Sequence, residues 1–185
     1  MIRLFAALAI PPEIGVKLRS RQTGIGSARW RPLEALHVTL RFFGEVREDA
    51  ARDLDEALLE LAVAPFEIAL EGVGSFSEGD EVSAVWAGVA ENTALKRLAA
   101  ACERAARQAG LTPDPRRYRP HVTLAYLKRA DPAQVAIWLE ANARLQSPPI
   151  RVGSFQLYSS ILSPEGSRYR VEASYPLIEP YGATA

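Results

Sequence analysis

The chain holds two histidines, and both open the same tetrapeptide: His37-Val38-Thr39-Leu40 and His121-Val122-Thr123-Leu124. Imidazole, with an unperturbed pKa of about 6.5, can give or take a proton at neutral pH. Two of them in equivalent surroundings provide an acid and a base for one substrate. The threonines are Thr23, Thr39, Thr93, Thr112, Thr123 and Thr184, yet each His has one two positions later. A lone strand histidine is often just a packed residue; two with identical neighbours ask for a shared task.

The spacing states what that task requires. Side chains alternate along a strand. His37 and Thr39 therefore share one face, with Val38 and Leu40 on the other, and the second motif repeats this. Each strand offers an imidazole beside a hydroxyl that can donate to an anionic oxygen. Two such strands suit metal-free phosphoryl chemistry. One neutral His deprotonates water, the other protonates the leaving oxygen, and the hydroxyls stabilise the non-bridging oxygens. Without a bulge, parity adds Arg119 to the His121 face and Arg41 to the His37 face, either able to pair with phosphate.

The elements that must hold these strands follow from patterning. Residues 2–10 read as a buried core strand rather than a signal peptide, since Pro11-Pro12 follow at once and start a helix through about residue 22. Strands are expected at 35–43, 66–72, 82–90, 119–127, 150–162 and 168–176. Helices are expected at 48–62, from the stripe Ala51, Leu54, Leu58 and Leu61, at 92–110 with Asn92 as cap, and after Asp131-Pro132. Ser75 to Asp80 reads as a loop, and Ser163-Pro164-Glu165-Gly166-Ser167 as a turn. Both motif strands are followed by a helix expected to carry an acidic cap. The halves match in content, so the expected fold is α+β: one domain over residues 1–185 with two pseudo-symmetric lobes. Each lobe is an antiparallel sheet with helices outside, and the two face a central cleft that carries one His each.

Composition narrows the function. Hydrophobic residues make up 48% and charged residues 24%, an ordinary globular balance. Lys+Arg and Asp+Glu are equal at 22 each, which argues against coating duplex nucleic acid by charge and for contacts to a few nucleotides. Basic residues nevertheless flank both motifs: Arg29, Arg31 and Arg41, then Arg116, Arg117, Arg119, Lys128 and Arg129. That distribution fits a local anionic ligand such as phosphate. Cys102 stands alone, so no internal disulfide forms and a reducing, cytoplasmic setting is expected. No Cys pair and no His-x3-His spacing exists, so no metal site and no cofactor is expected. No segment is long and apolar enough for a membrane, and a monomer is expected. Trp30, Phe42, Phe43, Tyr118 and Tyr126 lie near the motifs, where core packing is their commoner use.

These residues resemble the 2H phosphoesterase superfamily, named for two His-x-Thr-x motifs, and more closely its RNA 2′,3′-cyclic phosphodiesterases, once called 2′-5′ RNA ligases. The likeness runs through Arg3-Leu4-Phe5-Ala6-Ala7, Trp30 to Gly44, Gly72-Val73-Gly74-Ser75-Phe76, Val85-Trp86-Ala87-Gly88-Val89, Arg119-Pro120-His121-Val122-Thr123-Leu124-Ala125 and Phe155-Gln156-Leu157-Tyr158-Ser159-Ser160. The resemblance implies hydrolysis of RNA 2′,3′-cyclic phosphate ends to 2′-phosphates. It implies His37 as proton donor, His121 as proton acceptor, and Thr39 and Thr123 as phosphate ligands; Arg119 joins them as a phosphate-binding residue by strand parity. The residues alone do not assign acid and base. A nucleotide-binding module without catalysis, 2′-5′ end joining, or action on small cyclic nucleotides would use the same residues. Ala35, Ser83, Tyr126 and Ser159 depart from the family's usual Asn, Arg, Arg and Glu.

Overall fold

A computed structural model describes residues 1–163 and 166–178. The element order is β1 (Ile2–Ala9), α1 (Pro12–Arg19), β2 (Arg29–Trp30), a short 3-10 turn (Leu33–Ala35), β3 (His37–Val46), α2 (Glu48–Leu59), β4 (Phe66–Ile68), β5 (Leu70–Glu78) and β6 (Glu81–Val89). Then come α3 (Thr93–Gln108), β7 (His121–Tyr126), α4 (Pro132–Asn142), β8 (Ile150–Val152), β9 (Ser154–Ser163) and β10 (Gly166–Pro176).

The α+β architecture holds. The strands form an antiparallel sheet in the order β10-β9-β1-β3-β7-β6-β5, with β2 also on β7, and β4 pairs with β8 apart from it. The two lobes are the halves of this one sheet. They meet at a seam one residue pair wide, Val38 opposite Val122. Helices α2 and α3 pack together, α2 against β10 and α3 against β3 and β4; α4 packs against β5. One continuous apolar cluster runs from Leu4 to Leu177 and includes Val38, Leu40, Val122 and Leu124 from the motif strands. The faces opposite His and Thr are thus the buried ones, as alternation requires. Cys102 is fully buried on α3.

Local chemistry explains the boundaries. Pro12 takes the first turn of α1, where its missing N–H costs nothing. The Asn92 side chain accepts from the Leu95 N–H at 2.8 Å and starts α3. Gly110 follows its end at φ +74°, a left-handed conformation that ends helices. Asp131 caps α4 by accepting from the Ala133 N–H at 2.9 Å. The helix after the first motif differs from expectation. Arg47, not an acid, occupies the N-cap of α2 and makes no capping bond with its side chain; Glu48 and Asp49 follow in the first turn. Residues 75–80 are also no loop. Strand β5 runs on to Glu78 and turns through Gly79-Asp80 into β6, because Phe76 finds a cross-strand partner in Ala84. The expected strand 66–72 is two strands, and β2 is too short to have shown a period. Pro164 and Glu165 of the turn expected at 163–167 lie outside the described residues.

Candidate active site

The register at the seam composes the site. With Val38 opposite Val122 in an antiparallel pair, one step either way sets His37 opposite Thr123 and Thr39 opposite His121. The four side chains share one face, with the imidazoles on one diagonal and the hydroxyls on the other. In a regular pair such diagonal positions stand about 7–8 Å apart, room for one tetrahedral group. All four residues are half-buried, and Val38, Leu40, Val122 and Leu124 beside them are buried.

Each strand then bulges at the same place. The β1–β3 register steps from Ala7–Thr39 to Ala6–Arg41, so Leu40 is the extra residue. The β6–β7 register steps from Trp86–Thr123 to Val85–Ala125, so Leu124 is the extra one. A bulge turns the next side chain to the other face. It therefore corrects the expectation for Arg41, which leaves the His37 face for the helix side and is 8% exposed. There its Nε donates to Glu103 Oε2 at 2.5 Å and its Nη2 to the Thr112 carbonyl at 2.7 Å, with Asp114 Oδ2 3.7 Å from Nη1. Arg41 pins α3 and the following loop to β3. The same flip carries Tyr126 out to solvent.

Both imidazoles are tethered alike. Nδ1–H of His37 donates to the Ala35 carbonyl at 2.9 Å, and Nδ1–H of His121 to the Arg119 carbonyl at 2.7 Å. The carbonyl can only accept, so Nδ1 carries the proton and Nε2 is left for chemistry. The departure at Ala35 leaves this tether intact, since a backbone atom makes it. The departure at Ser159 is buried, its Oγ donating to Glu172 at 2.5 Å.

The surroundings of the rings differ. His37 lies 4.9 Å from the Phe5 ring, 5.3 Å from Tyr169 and 6.2 Å from Tyr158. His121 lies 4.8 Å from Phe76 and 5.9 Å from Trp86. Gly74 makes room for that wall: a Cβ there would stand 2.3 Å from the Trp86 ring. Burial is the main force on His37 and pushes its pKa down to about 4; the Ala35 hydrogen bond opposes this, and the charges of Arg31 and then His121 add to it. Burial likewise lowers His121, against its Arg119 hydrogen bond and with the Arg119 charge. Without a ligand, then, both rings are neutral at pH 7.

Arg119 is exposed and makes no ion pair among the described residues. Beyond its carbonyl tether, its guanidinium is close enough to act on His121. The wall residues Phe5, Phe76, Trp86, Tyr158 and Tyr169 escaped sequence reasoning, as did the burial of Arg31. Phe5, Phe76, Trp86 and Tyr158 stand in the segments that carry the family likeness, but no local periodicity shows that they wall the histidines. Of the flanking aromatics, Trp30 packs on Trp138 at 6.1 Å, Phe43 and Tyr118 pack against the core, and Phe42 lies under Arg3. No helix among the described residues is long and apolar enough to cross a membrane.

Known proteins share this frame. A protein of Archaeoglobus fulgidus named RNA 2′,3′-cyclic phosphodiesterase is 32% identical over 172 residues, 91% of this chain and 97% of its own length. One of the same name from Aeropyrum pernix is 36% identical over 140 residues, 74% of this chain and 79% of its own. Among solved structures, TT0787 of Thermus thermophilus superposes with a TM-score of 0.79 at 26% identity, covering 95% of this chain and 98% of that one. Escherichia coli LigT complexed with 3′-AMP gives 0.76 at 25% identity, covering 96% and 99%. The sequence profile of the 2′-5′ RNA ligase superfamily matches residues 11–161, across both His-x-Thr motifs, and the chain belongs to that superfamily.

Proposed function

We propose that this protein hydrolyses 2′,3′-cyclic phosphates at RNA ends to 2′-phosphomonoesters, as one bilobal domain over residues 1–185 acting as a monomer. The names of its relatives supply the substrate class. The observation that carries the mechanism is the pair of tethered imidazoles, which present Nε2 on one sheet face with Thr39 and Thr123 between them. His121 Nε2 accepts a proton from water as its oxygen bonds to phosphorus. The P–O3′ bond breaks, and His37 Nε2 gives its proton to O3′, in the roles the family resemblance assigns. The Thr39 and Thr123 hydroxyls donate to the non-bridging oxygens, and Arg119 adds positive charge at the His121 side. His37 starts with a depressed pKa, so it takes up its proton together with the anionic substrate, whose charge favours imidazolium. Proton exchange with solvent resets both rings.

The chemistry is proposed to need no metal or cofactor. The two imidazoles and two hydroxyls would supply acid, base and anion contacts from the chain itself. The lone thiol, Cys102, is buried, with its pKa pushed up to about 12 by burial, and suits a reducing cytoplasm. The test is an oligonucleotide ending in 2′,3′-cyclic phosphate, incubated with the protein in EDTA and followed by phosphorus NMR. A 2′-phosphomonoester at an undiminished rate is expected. A 3′-phosphate product, or loss of turnover on chelation, would overturn the reading.

A further inference from the structure

Arg31 is a buried cation whose charge has no carboxylate partner among the described residues; it is 5% exposed. Its Nη2 is fully buried and has no hydrogen-bond partner there. Such a group costs free energy unless an acceptor arrives. The backbone around it is fixed. Its N–H donates to the Leu124 carbonyl at 2.8 Å, and its own carbonyl accepts from Gln22 Nε2 at 2.8 Å. The guanidinium is fixed too, with its central carbon 5.2 Å from the Tyr169 ring centre and 5.5 Å from that of Tyr126. Two aromatic faces hold it in place of an anion.

Its neighbours place it at the His37 end of the cleft. Tyr169, which packs on Arg31, also packs edge-on to the His37 ring at 5.3 Å. The charge of Arg31 bears on His37 ahead of that of His121. A second buried donor without an acceptor, Trp86 Nε1, belongs to the ring beside His121. An unanswered N–H donor thus lies in the wall beside His121 and another behind the Tyr169 ring that packs on His37.

We propose that Arg31 is a phosphate-binding residue: its Nη2 takes a non-bridging oxygen of the substrate phosphate from the His37 side, while the tyrosine rings fix the guanidinium plane. This rests on the phosphodiester reading of the site. With the oxygen in place, Arg31 no longer faces an empty apolar wall, and its charge is paired across His37's reaction partner. Phosphate bound by the two histidines and two threonines alone would leave Nη2 as it is now.

The test uses inorganic phosphate as ligand, by calorimetry, alongside steady-state turnover of the cyclic-phosphate oligonucleotide. Arg31→Met keeps the stem and removes charge and donors; Arg31→Lys keeps the charge without the planar fork. A charge-assisted hydrogen bond of this kind corresponds to about 10–100-fold in affinity. Phosphate affinity is expected to drop by that factor in Arg31→Met and by less in Arg31→Lys, with KM rising and added guanidinium ion partly restoring Arg31→Met. An unaltered phosphate affinity in folded Arg31→Met overturns the proposal. Should that variant not fold, nitrogen NMR of the unmodified protein decides: the Arg31 guanidinium signals shift on adding phosphate, or the proposal fails. Turnover of the oligonucleotide together with indifferent Arg31 variants sinks this inference alone. Absence of both turnover and phosphate binding in the unmodified protein sinks it along with the functional reading.

Discussion

His37 and His121 are oriented by the same backbone device, and each strand bulges at the leucine after its threonine. Around that shared geometry the two halves part. His37 has three aromatic rings and the buried charge of Arg31 at its back, whereas His121 has two rings and the exposed Arg119. Past the bulge the first half places Arg41, tied to Glu103 and Asp114; the second places Ala125, fully buried. The repeat therefore fixes where the rings point, and the unrepeated residues decide how readily each ring holds a proton. The same local design thus sits in two environments, and burial keeps the proton off His37 until an anionic substrate offsets it.

The strongest challenge to this comparison is to remove each ring. His37→Ala and His121→Ala are each expected to lower turnover of the cyclic-phosphate oligonucleotide by about 10²–10⁴-fold, with the melting temperature largely kept. If one variant retained near-full activity, the halves would not share a reaction. The next concerns stability. Arg41→Met leaves two carboxylates beside a buried gap, and a broken buried pair costs about 3 kcal/mol. Urea titration should show that loss, while kcat/KM of the folded protein stays put; a drop in kcat/KM at full stability would return Arg41 to the cleft. The subtlest is the pH profile. In the free protein His37 is at about 4 and His121 is below its usual value, so the singly protonated pair is populated on the acid side of 6.5. The optimum in kcat/KM, which reports free-enzyme values, should lie there; the optimum in kcat should lie higher, because bound phosphate raises both rings. Coinciding optima would contradict the electrostatic account.

Much of this was legible in the residues. The doubled motif marked the candidate site, alternation predicted the shared face of His and Thr, and Asn92 and Asp131 marked their helices. What escaped depends on partners distant in sequence. A bulge is visible only against a neighbouring strand, so parity sent Arg41 to the wrong side and could not anticipate the turn of Tyr126 to solvent. Strand β5 passes through Ser75 to Glu78 because β6 pairs with it, against the local turn chemistry. Arg31 stood out only as one of several basic residues flanking the first motif; its burial involves Tyr169, far along the chain.

The tether from each ring runs to a carbonyl of its own strand, two residues back. Among the described residues no side chain hydrogen-bonds either imidazole, so its aim does not rest on a second hydrogen-bonding side chain. The walls of the cleft are accordingly released from the duty of alignment. They can diverge in sequence while both rings stay aimed at the same face.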